Sequence, residues 1–100
     1  MKVIGLDPGI NKVGYGVIEE NFKVLETGVF IPSLKLNYEG KIEFLLKNIE
    51  VLIEKFLPEF ISVEEIYVAK NIRVALRIGI LIGGIIGLSI SRNIRFLLIS

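Results

Sequence analysis

Two carboxylates, Asp7 and Glu64, each stand at or near the end of a short apolar run. Asp7 follows residues 3–6 and precedes Pro8 and Gly9, which turn the backbone away from that run. Carboxylates presented at the ends of strands suit a hard divalent cation, which prefers oxygen ligands. Two carboxylates on neighbouring strands can form part of a metal site for phosphodiester hydrolysis. We therefore predict that Asp7 and Glu64 share a metal site.

Asp7 has an alternative role in a turn, and Glu64 has an acidic neighbour, Glu65, that must be distinguished from it. An Asp-Pro-Gly sequence alone is more typical of a turn whose Asp bonds nearby backbone N–H groups. The second acidic residue, Glu64, favours the metal site. Successive side chains on a strand point to opposite faces, so Glu65 is predicted to lie on the other face and to take no part.

Composition narrows the chemistry that is available. The 100-residue sequence has no His and no Cys, which excludes a histidine general base, a thiolate metal site and a disulfide framework. All eleven acidic residues precede residue 66, whereas the segment beyond it carries only basic charges. This basic third is either an anion-facing surface or a set of solvated side chains. Its charged residues are Lys70, Arg73, Arg77, Arg92 and Arg95.

The elements that must position these residues follow from apolar patterning. Strands are predicted near residues 3–6, 14–18, 23–31, 60–67 and 93–99, and helices over 38–57 and 74–90. The order β-β-β-α-β-α-β predicts one α/β domain over residues 1–100, with a mixed sheet and helices packed on it. This is the order of the front part of a ribonuclease H-like fold, and fold order alone assigns no function.

The second helix, over residues 74–90, has three interpretations. It is a membrane span, a helix buried all round by sheet and neighbouring helix, or a helix partly covered by a second subunit. We expect a helix packed on the sheet, because Arg77 disfavours a span that needs about 20 apolar residues. Gly79, Gly83 and Gly87 are expected to mark a close approach. The N-terminus has no signal-peptide pattern, so a cytoplasmic protein is expected.

Beyond these patterns, the sequence closely resembles the opening of RuvC-type Holliday junction resolvases. The resemblance lies in MKVIGLDPG at residues 1–9, GYGVI at residues 14–18, and Pro58 followed by Val63-Glu64 and by YVAKN at residues 67–71. It continues along the second helix through Ala75, Leu76, Gly79 and Gly83. Most of the chain is therefore similar to the N-terminal portion of that family.

The resemblance implies a structure-selective endonuclease that resolves four-way DNA junctions in recombination and repair. Asp7 and Glu64 would be two of its catalytic acidic ligands for Mg²⁺, with Mn²⁺ as the alternative ion. Tyr67 would stack at the opened junction, and Lys70, Asn71 and Arg73 would lie along the DNA backbone. The implied partners are junction DNA, a second copy in a homodimer, and the junction-binding and branch-migration proteins RuvA and RuvB, with no membrane.

The sequence also departs from that family. Members continue into a basic DNA-contacting loop and a final helix with two more acidic ligands, and neither has a match here, so the fold is expected to be C-terminally incomplete. Ile80, Leu81 and Ile82 stand where polar residues are usual. The chain alone is therefore expected to be inactive. The alternatives are a non-catalytic fragment, the phosphate-binding half-domain of an actin-like ATPase or kinase, and a small membrane-associated protein.

Overall fold

The computed structural model describes residues 1–65 and 71–100. It contains the seven predicted helices and strands in the predicted order. They are β1 (Val3–Asp7), β2 (Val13–Glu19), β3 (Lys23–Phe30), α1 (Tyr38–Phe56), β4 (Phe60–Glu64), α2 (Ile72–Ser91) and β5 (Arg95–Ile99).

The strands form one mixed sheet in the order β3-β2-β1-β4-β5. The first three strands pair antiparallel, as expected for sequential strands joined by tight turns, and β4 pairs parallel to both β1 and β5. The two crossover helices contribute to one core with a single face of the sheet. That core includes Ile4, Leu6, Val13, Val17, Ile61 and Val63 from the strands, Leu45, Ile49, Leu52 and Ile53 from α1, and Leu81 and Ile85 from α2.

The other face of the sheet, here called the open face, carries no helix among the described residues. Ile18, Val29, Leu97 and Ile99 lie on it and are 37 to 53 per cent exposed. They alternate along their strands with the residues that face the core. The domain therefore has two layers, a sheet and a helix pair.

Helix α1 has clear sequence causes for its limits. The Asn37 side chain accepts a hydrogen bond from the backbone N–H of Gly40 at 2.8 Å, which caps the first turn. At the other end Leu57 takes a left-handed conformation, and Pro58 cannot continue the helix. The helix presents one apolar face to the sheet, as its i, i+3, i+4 spacing predicts.

Helix α2 runs beside α1 in the same direction, since Tyr38 contacts Arg77 near their starts and Glu50 pairs with Arg92 near their ends. Among the four glycines of α2, Gly84 is the one that faces α1. A Cβ there would lie 2.7 Å from Cδ1 of Leu46.

The expectation that Gly79, Gly83 and Gly87 mark the close approach is wrong. A Cβ added at any of these three would meet nothing within 4 Å. Their shared spacing places them on one face, but it is the face turned away from α1 and the sheet.

The predicted packing of α2 on the sheet is confirmed, since Leu81 and Ile85 belong to the core. Of the interpretations left open, a helix buried all round does not hold among the described residues. Leu81, Ile85 and Ser89 are buried, whereas Leu76, Ile80 and Ile90 are 58 to 65 per cent exposed. By length and composition α2 could cross a membrane, and 17 per cent of its most apolar stretch is buried. We call the surface of Leu76, Ile80, Gly83, Gly87 and Ile90 the outer face of α2.

A polar cluster joins β3 to the end of α1. The Tyr15 hydroxyl donates to Glu26 at 2.8 Å, and Nζ of Lys55 donates to the same carboxylate at 2.9 Å. The Lys55 and Tyr15 hydrogen bonds lower the pKa of Glu26. The hydrogen bond to Glu26, with burial, raises the pKa of Tyr15.

Candidate metal and nucleic-acid site

The parallel pairing of β1 with β4 brings the two predicted carboxylates to the same edge of the sheet. Leu6 stands opposite Val63 in the register, and Asp7 and Glu64 follow that pair on their respective strands. Adjacent strands lie about 4.8 Å apart. The two carboxylates therefore occupy corresponding positions on neighbouring strands.

The two carboxylates also share a face. Leu6 and Val63 are buried on the helix side, so the next residue on each strand points to the open face. Both Asp7 and Glu64 are exposed. The alternation of side chains along β4 thus places Glu64 on the same face as Asp7, as predicted. That the two carboxylates share a metal remains a prediction.

Glu65 lies just beyond the end of β4. Its backbone N–H donates to the carbonyl of Ile99 at 2.6 Å, which continues the pairing with β5 by one further bond. Its side chain is less exposed than that of Glu64. The backbone of Glu65 thus extends the pairing of β4 with β5, and no described contact involves its side chain.

Asp7 borders a shallow depression on the open face. The depression has a volume of about 390 Å³ and is lined by Asp7, Pro8, Gly9, Lys12, Gly14 and Val29. Gly14 stands opposite Asp7 on β2, and a Cβ there would lie 3.8 Å from the Asp7 Cβ. Small residues and a turn therefore leave room for a ligand beside the carboxylate.

Two of the four predicted DNA-binding residues lie within the part of the chain that the structure describes. Tyr67 and Lys70 lie outside the described residues. The Asn71 side-chain oxygen accepts from the backbone N–H groups of Arg73 and Val74 at 3.0 and 3.4 Å, so it caps α2. Its amide NH₂ is not used by that cap, and the Arg73 side chain is exposed in the first turn.

The donor set fits part of a site for a hard divalent cation. Asp7 and Glu64 supply carboxylate oxygens, and Mg²⁺ is usually held by one or two carboxylates with water and phosphate oxygens. Within residues 1–65 and 71–100, no group of three or more His, Cys, Asp or Glu residues is arranged to hold a metal. The described residues thus offer two ligands.

Lys12 is a site residue that the sequence interpretation missed. It lines the depression beside Asp7, five residues further along the chain. The sequence signal that could have identified Lys12 is its position in the turn that follows the candidate ligand Asp7. That position places a positively charged residue in the lining of the depression that Asp7 borders.

A mixed sheet of this strand order, with two carboxylates at the ends of adjacent parallel strands, defines a ribonuclease H-like domain. The family profile of the crossover junction endodeoxyribonuclease RuvC matches residues 3–98. The chain therefore belongs to the RuvC family, as its sequence motifs indicated. This membership does not favour the ATPase or kinase alternative.

Individual relatives agree with the family match. A crossover junction endodeoxyribonuclease RuvC from Pelodictyon phaeoclathratiforme is 32% identical over 97 residues, which is 94% of this chain and 51% of that protein. One from Caldicellulosiruptor saccharolyticus is 34% identical over 98 residues, 94% of this chain and 59% of that protein. The chain spans about half the length of the curated relatives it matches.

The fold is shared with a solved structure, T. thermophilus RuvC in complex with Holliday junction substrate. The TM-score is 0.88 at 21% identity, covering 98% of this chain and 63% of that one. At this identity the similarity concerns the fold. It confirms the predicted ribonuclease H-like architecture.

Proposed function

We propose that this chain supplies the first part of a structure-selective endonuclease that cuts four-way DNA junctions by metal-assisted phosphodiester hydrolysis. The observation that carries the proposal is the position of Asp7 and Glu64. They stand at corresponding positions on the adjacent parallel strands β1 and β4, exposed on one face.

The donor chemistry of this pair supports Mg²⁺ as the ion, with Mn²⁺ as the alternative, because carboxylate oxygens suit both. A bound divalent ion would polarise the phosphoryl oxygen and lower the pKa of an attacking water. Asp7 and Glu64 would hold the ion, and the open depression beside Asp7 leaves space for the phosphodiester.

The basic residues near this edge would orient the DNA. Lys12 borders the depression and would attract a phosphate to it. Arg73 projects from the first turn of α2, and Asn71 would use the amide NH₂ that its capping role leaves available. Tyr67 is proposed to stack on a splayed base, with Lys70 beside the backbone, by similarity to the family.

A homodimer is proposed for the working protein. The outer face of α2 supports it: Leu76, Ile80 and Ile90 are exposed, and added Cβ atoms at Gly83 and Gly87 meet nothing within 4 Å. A second copy would cover this apolar surface in the closed symmetric arrangement most common among soluble oligomers. RuvA and RuvB as partners and a cytoplasmic location are proposed from family membership.

Competitive binding tests the junction preference. The chain is incubated with a labelled synthetic four-way junction in low salt and Ca²⁺, and unlabelled junction or linear duplex of the same arm sequences is added. We expect the junction to compete at a concentration at least tenfold lower than the duplex. Equal competition by the two DNAs would contradict a structure-selective role.

A further inference from the structure

Three basic residues from three different elements lie near the carboxylate end of the sheet. Lys12 lies beside Asp7 on the open face. Lys41 follows in the first turn of α1, and Arg77 follows in α2. We call Lys12, Lys41 and Arg77 the basic row.

Each member after Lys12 is held in place by a contact between elements. Nζ of Lys41 donates to the side-chain oxygen of Asn11 at 2.8 Å, which joins the loop after β1 to the start of α1. Because Asn11 directly precedes Lys12 in the chain, this bond joins Lys41 to the loop that carries Lys12. The contact spans 30 residues of sequence.

The next contact extends the row from α1 to α2. The Tyr38 hydroxyl donates to the backbone carbonyl of Arg77 at 3.2 Å, and the Arg77 guanidinium lies 4.6 Å from the centre of the Tyr38 ring. Tyr38 and Lys41 are three residues apart, so they are neighbours on the helix surface. Arg77 thereby lies against the first turn of α1, which also carries Lys41.

None of the three side chains of the basic row forms an ion pair within residues 1–65 and 71–100, whereas Lys47, Lys55 and Arg92 pair with Glu43, Glu26 and Glu50. The nearest acid on the same helix turn, Glu39, is two residues from Lys41, and residues two apart on a helix do not face each other.

We propose that the basic row is a phosphate track that holds one DNA strand across the carboxylate edge and feeds it to Asp7. This inference rests on the proposed function and assigns phosphate contacts to Lys12, Lys41 and Arg77, with Asn11 and Tyr38 as positioning residues. The partner chemistry is a polyanionic sugar-phosphate backbone, because the row offers fixed cations without hydrogen-bond acceptors of its own.

The test is the salt dependence of DNA binding. Fluorescence anisotropy of a labelled four-way junction is measured from about 25 to 200 mM salt for wild type, Lys41→Gln, Arg77→Gln and Lys12→Gln. The matched control is Lys23→Gln, at the opposite end of the sheet, where Lys23 stands across from Glu19. Each lost phosphate contact is expected to reduce the slope of log affinity against log salt by about 0.7 to 0.9.

A positioning role for Asn11 predicts a further result. Asn11→Ala should weaken binding in the wild type, and it should have a smaller effect when combined with Lys41→Gln. Equal effects in both backgrounds would contradict this role.

Lys41→Gln and Arg77→Gln with the slope of wild type, and with unchanged circular dichroism, would overturn the phosphate track even if the junction still outcompetes duplex. Reduced slopes without junction preference would support the track and overturn the proposed function. Absence of binding to any DNA in low salt would overturn both.

Discussion

The contrast between two adjacent glycines of α2 offers a sharp test of the helix packing. Alanine in place of glycine inside a helix gains about 0.5–1 kcal/mol of stability from backbone entropy, and this term applies equally to Gly83→Ala and Gly84→Ala. At position 83 the new Cβ meets nothing within 4 Å. At position 84 it would lie 2.7 Å from Cδ1 and 3.0 Å from Cδ2 of Leu46.

Those two atoms are the end of a flexible side chain, so Leu46 must leave its rotamer, which costs about 0.5–1.5 kcal/mol. Gly84→Ala should therefore be less stable than Gly83→Ala by about 1 kcal/mol, or about 4–8 °C in Tm for a domain of this size. Thermal unfolding followed by far-ultraviolet circular dichroism measures the difference. Adding Leu46→Ala to both variants should abolish it. Equal stabilisation by both alanines would refute the assigned contact between α1 and α2.

Three further predictions concern acid stability, stacking and cleavage. The lowered pKa of Glu26 means that its stabilising contacts are present above the ordinary carboxyl range of about 4 and are lost as pH falls through the lowered value. Glu26→Gln should therefore flatten the acid limb of Tm against pH, and an unchanged limb would contradict the pairing with Lys55. Tyr67→Ala should weaken junction binding by about 1–3 kcal/mol per stacked base, and unchanged affinity and cleavage would leave Tyr67 a packing role. The chain alone should leave a labelled junction uncut in Mg²⁺ or Mn²⁺, because a two-ion clamp needs more ligands than Asp7 and Glu64 supply; cutting that disappears in Asp7→Asn would show a complete site.

Elements with strong local signals were predictable from the sequence. The apolar spacing of helix α1 continues over five turns and indicates a helix. Asn37 before it and Pro58 after it set its two ends through local chemistry. Helix α2 begins at Ile72 rather than the predicted residue 74, because Asn71 caps it. The difference of two residues is small, because a cap contacts only the first turn of its helix.

Features that depend on tertiary packing were not predictable in the same way. The spacing of Gly79, Gly83 and Gly87 reveals a common face, but which face of α2 meets α1 depends on the sheet beneath both helices. Of the four glycines of α2, only Gly84 lies against a side chain of α1. The bond between Lys41 and Asn11 likewise joins residues 30 apart, with no periodic pattern to announce it. The carboxylate pair was predictable because strand parity and parallel pairing are general properties of sheets.

Binding of Mn²⁺ tests most directly whether Asp7 and Glu64 together hold a divalent metal. Free Mn²⁺ is measured by electron paramagnetic resonance during titration of wild type, Asp7→Asn, Glu64→Gln and Glu65→Gln, with folding checked by circular dichroism. We expect weak binding of one ion, with an affinity that falls at least tenfold in Asp7→Asn and in Glu64→Gln and is retained in Glu65→Gln. Binding that survives Asp7→Asn, or that is lost in Glu65→Gln while Glu64→Gln retains it, would contradict the shared site.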